Sequence, residues 1–150
     1  MPATLKQTAH SSIPSLAEIV IVQPKGLAEV WAGAGLFIQR MLKRGEGEWN
    51  LVDGFENIRN GKWDLWLGFR FGNMEACLLG QAINHPRYST YLIVGFATDD
   101  MKFWLPHLET IEQWAAQKGF TAITERGRKG WFRKLPGWRL STIEMRKDLR

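Results

Sequence analysis

Residues 90–138 read TYLIVGFATDDMKFWLPHLETIEQWAAQKGFTAITERGRKGWFRKLPGW, and this stretch decides the fold. Its first part, Thr90–Ala97, is a β-rich apolar run without polar alternation, which is typical of a strand covered on both faces. Apolar residues then recur at helical spacing: Trp104, Leu108, Ile111 and Ala115. Gly119 can end that helix, and Thr121–Glu125 is short and β-branched. The stretch therefore predicts a right-handed strand–helix–strand crossover with two parallel strands.

The chain before residue 90 predicts an arm, a strand and two helices. Residues 1–15 are polar and are expected to form a mobile N-terminal arm. Ile19–Val22 is a short β-branched run followed by a proline, which favours an edge strand. Lys25–Lys43 carries its apolar residues on one helical face, and Asn50 can cap a second helix.

A hairpin is predicted between these helices and the crossover. Lys62–Phe71 alternates apolar and polar residues, which is typical of a half-buried strand. Gly72 and Asn73 can form a tight turn, and Glu75–Ile83 can return as the partner strand. A short helix and a last strand are expected after the crossover. The prediction is a single α/β (α+β) domain over residues 16–150, with three layers, a central mostly antiparallel sheet and one βαβ crossover.

The second half of the chain resembles a known family. The run IEQWAAQKGFTAI, followed by GRKGWFRKLPGWRLSTIEMRKDL, is similar to the second half of a GCN5-related N-acetyltransferase (GNAT) domain. It most resembles the divergent GNAT-like proteins that tailed phages encode near their head and tail genes. The similarity covers residues 90–149 and extends over 22–83. It implies a GNAT-like three-layer fold.

The resemblance also implies where acyl-CoA would bind. GNAT enzymes hold the CoA pyrophosphate on an Arg/Gln-x-x-Gly-x-Gly/Ala loop at the N-terminus of the crossover helix. The residues that correspond to this site are Gly95, Phe96, Ala97, Thr98 and Lys102. The stretch has no Gly-x-Gly, and Asp99 and Asp100 stand where the phosphates would lie. Either aspartate can cap the helix and repel an anion. The site is therefore interpreted as degenerate: no cofactor is expected, with acetyl-CoA as the alternative.

No catalytic residue emerges from the sequence. In GNAT enzymes a tyrosine commonly protonates the leaving thiolate, and the spacing places Arg133 at that position. An arginine stays protonated and cannot act as a general acid. His85 and His107 stand apart from other ligand residues, so no metal site is expected. Cys77 is the one cysteine, which excludes an internal disulfide.

The charge is concentrated in the last third of the chain. Residues 101–150 contain eleven Lys/Arg against five Asp/Glu, whereas residues 1–100 contain nine against ten. The predicted turn contains cations and a tryptophan: Arg126, Arg128, Lys129, Trp131, Arg133 and Lys134. Three interpretations stay open for this turn, namely a solvated helix face, a protein interface and a nucleic-acid contact. Trp66 and Trp114 lie opposite the apolar stripes of their elements, so they mark a contact surface if both are exposed.

Three functions are compatible with these observations. The first is a non-catalytic GNAT-fold protein of a phage virion or its assembly, acting through contacts with a head or tail protein. The second is an N-acyltransferase that uses acetyl-CoA with an unorthodox phosphate site. The third is a nucleic-acid-associated protein that uses residues 126–134. No secretory signal or membrane span of about 18 apolar residues is recognised, so the host cytoplasm or the virion is expected.

Overall fold

The protein is described by a computed structural model that covers residues 5–9, 17–126 and 134–150, with only the backbone described for residues 5–9. The strands are β1 Leu5–Ala9, β2 Ala17–Val22, β3 Asp64–Arg70, β4 Asn73–Asn84, β5 Ser89–Thr98 and β6 Ala122–Glu125. The helices are α1 Leu27–Arg44, α2 Leu51–Arg59, α3 Met101–Trp104 and α4 Leu108–Gln117. Two 3-10 turns, Pro24–Gly26 and Leu105–His107, precede α1 and α4.

The six strands form one sheet in the order of the sequence, β1 to β6. Neighbouring strands are antiparallel, except that β5 and β6 are parallel. Thr90 pairs with Ala122 at the start of the parallel pair, and α3 and α4 connect the two strands. The predicted crossover and the mixed α/β fold class are confirmed.

Helices cover both faces of the sheet and make three layers. On one face of the sheet, residues of α1 and α2 form a core cluster with Leu65 and Leu67 of β3. Residues of α3 and α4 pack against the other face, together with Trp66 of β3. The prediction that β3 is half-buried is therefore wrong, because the polar-looking side of the strand carries a tryptophan that the crossover helix covers.

The helix signals of the sequence are mostly confirmed. Asn50 caps α2 in a capping box, in which it accepts the Asp53 N–H at 2.9 Å and donates its own N–H to the Asp53 carboxylate at 2.9 Å. The predicted crossover helix is divided into α3, a 3-10 turn and α4, because Pro106 cannot donate a helical hydrogen bond. Gly119 follows α4 with φ +92°, as expected for a residue that ends a helix.

The β3–β4 hairpin turns one residue earlier than predicted. Arg70 already pairs with Asn73, so the two turn residues are Phe71 and Gly72, with φ of 52° and 79°. Positive φ at both positions suits the right-handed twist of a hairpin. It is an uncommon conformation for phenylalanine, whose side chain is exposed.

The two ends of the chain differ from the prediction. Residues 5–9 form β1 on the outer side of β2, where a mobile arm was expected, so β2 is not an edge strand. The last strand expected after the crossover does not form, since residues 138–150 contain no strand. The expected short helix falls largely on residues 127–133, which lie outside the described residues. In both cases the local sequence could not reveal whether a neighbouring backbone is available for pairing. No helix of the described chain is long and apolar enough to span a membrane.

Candidate functional site

β5 extends beyond the end of its pairing with β6. The last paired residues are Ile93 and Glu125, and β5 continues to Thr98 without β6. On its other side, β5 shifts register against β4, so that Val94 is an extra residue between two paired positions. Such a bulge bends a strand and increases its twist. We call the end of the β5–β6 pairing, at Ile93 and Glu125, the crotch.

Two of the five residues predicted to form the CoA site, Phe96 and Ala97, are buried in the core. Phe96 is buried against the α3–α4 layer, and Ala97 is buried against the α1–α2 layer. A Cβ on Gly95 would lie 2.6 Å from Met41 Sδ, so the glycine allows α1 to approach β5 closely. Thr98 Oγ1 accepts a hydrogen bond from the Asp100 N–H at 3.0 Å. Of the five predicted residues, only Lys102 is exposed.

The N-terminus of α3 is occupied by side chains and backbone of the same chain. Asp100 Oδ1 accepts the Phe103 N–H at 3.2 Å, which makes Asp100 rather than Asp99 the helix cap. The Asp99 N–H donates to the Glu75 carbonyl at 2.9 Å. Together with the Asp100 N–H on Thr98, three amides of this turn already have acceptors.

Arg70 joins the carboxylates around this helix end. Its Nη2 lies 2.8 Å from Glu75 Oε1 and 3.2 Å from Asp100 Oδ2, and its guanidinium lies 4.0 Å from the centre of the Phe103 ring. The hydrogen bond to Glu75 is the main cause that raises the pKa of Arg70. Trp104 Nε1 donates to the same Glu75 oxygen at 3.1 Å. These contacts make a closed ion-pair network over the start of α3.

A second guanidinium reaches the same turn from α1. Arg40 Nη2 lies 3.1 Å from Asp99 Oδ1 at the surface. Three carboxylates, those of Glu75, Asp99 and Asp100, therefore face the two guanidinium groups of Arg40 and Arg70. The three carboxylates oppose a phosphate at this helix N-terminus despite the favourable helix dipole, and the exposed Lys102 offsets part of that repulsion.

Glu125 stands at the crotch and was not singled out by the sequence analysis. Its Oε2 is buried and has no hydrogen-bond partner within the described ranges, which end at 126 and resume at 134. Burial raises the pKa of this carboxyl to about 7. A carboxyl with such a pKa can exchange a proton near neutral pH. The sequence shows only a glutamate that ends a short strand; the burial of its Oε2 is visible in the structure alone.

A groove lies beside the crossover helices. It has a volume of about 770 Å³ and runs between α3, α4 and residues 134–138. Its walls combine apolar side chains with two cations and two carboxylates: Met101, Leu105, Leu135 and Trp138, Lys102 and Lys134, and Glu109 and Glu112. The structure thus brings together Lys102 from the predicted CoA site and Lys134 from the predicted basic turn.

Trp66 does not belong to an interaction surface, and that prediction is wrong. It is 1% exposed, and its Nε1 donates to the Tyr91 hydroxyl at 2.9 Å. Trp114 is half-buried, and its ring lies edge-on to Trp66 with 4.9 Å between ring centres. The Tyr91 hydroxyl in turn donates to Asp64 Oδ2 at 2.6 Å, and burial raises the pKa of both groups. The two tryptophans pack α4 onto the sheet.

The rest of the predicted interaction surface is described only in part. Arg126 and Lys134 are exposed. Arg128, Lys129, Trp131 and Arg133 lie outside the described residues, so their role stays a prediction. Cys77 is buried, and burial raises the pKa of its thiol. Within residues 5–9, 17–126 and 134–150, no group of three or more His, Cys, Asp or Glu could hold a metal ion.

Known proteins with a similar structure are acetyltransferases. An aminoglycoside acetyltransferase from an uncultured soil metagenomic sample, in complex with sisomicin, has a TM-score of 0.67 and 10% identity, covering 90% of this chain and 97% of its own. A GNAT family acetyltransferase from Staphylococcus aureus has a TM-score of 0.63 and 10% identity, covering 89% and 98%. A predicted acetyltransferase with acetyl-CoA from Clostridium acetobutylicum has a TM-score of 0.63 and 13% identity, covering 89% and 96%.

Comparison at the level of sequence adds nothing to this. No family model and no curated protein matches the chain significantly. At identities of 10–13% the structural similarity shows the fold and not the activity. The order of elements and the crossover agree with it, and the chain has the fold of the GCN5-related N-acetyltransferases.

Proposed function

We propose that this protein is a GNAT-fold binding protein that does not use acyl-CoA and acts through protein contacts. The observation that carries the proposal is the N-terminus of α3, where Asp100, Arg70 and Glu75 form a closed network. A phosphate-binding helix N-terminus needs free amide donors and a favourable field. Here the Asp99, Asp100 and Phe103 amides already have acceptors, and three carboxylates lie at the turn.

The length of the connection supports the same conclusion. Only Asp99 and Asp100 lie between the end of β5 and the start of α3. Two residues are too few to build a loop whose amides surround a pyrophosphate, and neither residue is a glycine. A pyrophosphate would have to displace the Asp100 cap and separate Asp100 from Arg70 before it could bind.

The biological setting in this proposal is a tailed-phage particle or its assembly. It is supported by the resemblance of residues 90–149 to GNAT-like proteins encoded near phage head and tail genes. The structural neighbours are acetyltransferases and do not bear on it. The partner would be a head or tail protein.

The proposal is tested by calorimetric titration of acetyl-CoA into the purified protein at physiological salt. The expected result is no heat of binding and no change in melting temperature. A second titration uses the Asp99→Gly/Asp100→Gly variant, in which the repulsion and the cap are removed; it should bind no worse than the parent chain. Glu46→Gly/Glu48→Gly, two exposed acids in a loop, is the matched control. Micromolar binding by the parent chain would refute the proposal.

A second candidate, N-acyl transfer, is favoured by Glu125. In this alternative an acyl-CoA binds without using the α3 N-terminus as its phosphate site, and the exposed Lys102 contacts a phosphate. Glu125 would accept the proton that the attacking amine loses, which suits a carboxyl with a pKa of about 7. This candidate is also supported by a protein of similar structure, the predicted acetyltransferase from Clostridium acetobutylicum, whose structure contains acetyl-CoA.

The two candidates are separated by measuring release of the CoA thiol from acetyl-CoA in the presence of a panel of amines. N-acyl transfer predicts release that falls roughly 10²–10⁴-fold in Glu125→Gln, as expected for loss of a general base. Glu48→Gln, an exposed glutamate in the loop between α1 and α2, should leave the rate unchanged. No release above the rate without protein is the result expected for a binding protein.

A further inference from the structure

The hairpin of β4 and β5 projects beyond the strands on either side of it. Asp64, the first residue of β3, pairs with Gly80, so β4 continues as Gln81–Asn84 without β3 beside it. On the other side, β6 begins opposite Thr90 of β5. We call residues 84–89 the hairpin tip; it lies at the end of β5 that is opposite to α3, and all of it up to residue 88 is exposed.

Hydrogen bonds hold the hairpin tip in one shape. The His85 N–H donates to the Tyr88 carbonyl at 2.8 Å, and the Ser89 hydroxyl donates to Asn84 Oδ1 at 2.7 Å. Thr121, between α4 and β6, donates its N–H and its hydroxyl to the Ser89 carbonyl at 3.0 and 3.2 Å. A surface that is already ordered loses little conformational entropy when it binds a ligand.

The hairpin tip presents an aromatic ring to solvent. The rings of His85 and Tyr88 are tilted by 35° with 4.8 Å between their centres, and Tyr88 is still 51% exposed. Among the described residues, neither ring belongs to the core on either face of the sheet. An exposed aromatic face is a surface on which an unstacked nucleic-acid base can stack.

The surroundings of the hairpin tip carry positive charge. Residues 76–98 contain Arg87 and no Asp or Glu. Lys62 precedes β3 and Lys118 follows α4, and all three cations are exposed. One acid, Asp64, lies at the same end of β3, but its carboxylate is half-buried and accepts a hydrogen bond from a tyrosine hydroxyl of β5 at 2.6 Å. Three cations from three parts of the chain therefore accompany the exposed ring.

We propose that the hairpin tip binds single-stranded nucleic acid, with a base stacked on Tyr88 and phosphates on Arg87, Lys62 and Lys118. The charge of a phosphate chain is complementary to this surface. A single strand fits the site better than a duplex, because the bases of a duplex stack on each other and leave no face for the tyrosine. This inference does not depend on the proposed function and uses none of residues 126–134.

The first test is fluorescence anisotropy of a labelled single-stranded DNA of about 16 nucleotides, titrated with the full chain. The expected result is binding that weakens between about 50 mM and about 200 mM salt. Three phosphate contacts on a single strand predict a slope of about −2 for the logarithm of the binding constant against the logarithm of the salt concentration. The same sequence as RNA identifies which single strand is preferred.

The stacking contact is tested by variants of the tyrosine. Tyr88→Ala should weaken binding roughly tenfold or more, as for other bases stacked on aromatic side chains. Tyr88→Phe keeps the ring and should bind like the parent chain. Phe71→Ala, at an exposed phenylalanine in the β3–β4 turn, is the matched control and should leave binding unchanged. Circular dichroism checks that each variant is folded.

The phosphate contacts are tested by a change in the salt dependence. Arg87→Ala should reduce the magnitude of the slope by about 0.7, the contribution of one phosphate contact on a single strand. Lys43→Ala removes an exposed cation of α1 and should keep the slope of the parent chain.

Three results would overturn the proposal. The first is no binding at the lower salt concentration, and the second is a duplex of the same sequence that binds as tightly as the single strand. The third is binding by Tyr88→Ala and Arg87→Ala that equals binding by the parent chain, since the nucleic acid would then contact another part of the protein.

Discussion

The N-terminus of α3 and the crotch lie at the same end of β5, yet they are built in opposite ways. At α3 the carboxylates of Asp100 and Glu75 bond to Arg70, a backbone amide and the Trp104 indole. At the crotch, Glu125 Oε2 is buried and finds no partner among the described residues. A fully bonded cluster is what a structural role requires, whereas an unsatisfied buried carboxylate calls for an explanation.

The difference shows at which site a ligand must break existing hydrogen bonds and at which site it need not. Binding at α3 requires existing hydrogen bonds to break before new ones form. Binding at the crotch gives a partner to an oxygen that has none among the described residues. Activity in this protein, if present, is therefore expected at Glu125 and not at the helix N-terminus.

The largest effect is expected from removing the tryptophan that supports the α3 side. Trp104 is 2% exposed, and its ring lies so close to Gly68 of β3 that a Cβ there would come within 2.7 Å of it. Trp104→Ala should lower the free energy of unfolding by about 3–5 kcal/mol, measured by denaturant titration. Leu36→Ala, at a residue 66% exposed on α1, should stay within about 0.5 kcal/mol. Equal effects of the two substitutions would contradict the packing described here.

The carboxyl of Glu125 should make the stability of the protein depend on pH. The native pKa of Glu125 is raised from 4.5 to about 7, so the folded protein keeps a proton that the unfolded chain loses above pH 4.5. The contribution to stability is present below that pH and is lost as the pH rises through 7, by up to about 3 kcal/mol.

Chemical unfolding at pH 5 and pH 8 measures this effect. Glu125→Gln should remove most of the difference between the two pH values, because its side chain does not titrate. Glu109→Gln should keep the difference of the parent chain, since Glu109 is exposed. If the slope is the same in both variants, the carboxyl of Glu125 is not the group responsible.

A smaller effect is expected at the cap of α3. Asp100→Ala removes the acceptor of the Phe103 N–H and should cost about 1 kcal/mol of stability, as for other helix caps. Asp100→Asn keeps an acceptor oxygen and should recover most of this loss. Asn50→Ala, which removes the cap of α2, is the matched control and should cost a similar amount. A stability unchanged in Asp100→Ala would show that the cap contributes nothing.

The sequence revealed the parts of this fold that depend on local chemistry. The apolar positions from Trp104 to Ala115, the cap at Asn50 and the glycine at 119 each follow from a helix's own requirements, and all three are confirmed. The absence of a Gly-x-Gly between β5 and α3 was also visible. It led to the prediction of a degenerate phosphate site, which stays a prediction.

The features that the sequence missed depend on residues far apart in the chain. Trp66 appeared exposed because its strand alternates, and only the position of α4 shows that it is covered. The role of Arg70 depends on its distance from Glu75 and Asp100 across a hairpin and a turn. Glu125 became a candidate because its Oε2 is buried without a partner among the described residues.

We propose that Asp100 and its partners fill the position where GNAT enzymes hold the CoA pyrophosphate. The most direct test follows the backbone amide resonances of residues 98–104 by NMR while CoA is added to millimolar concentration. Our account predicts that the Met101, Lys102 and Phe103 amides do not shift. Saturable shifts confined to these amides would contradict it, because they would show that a phosphate displaces Asp100 from the helix it caps.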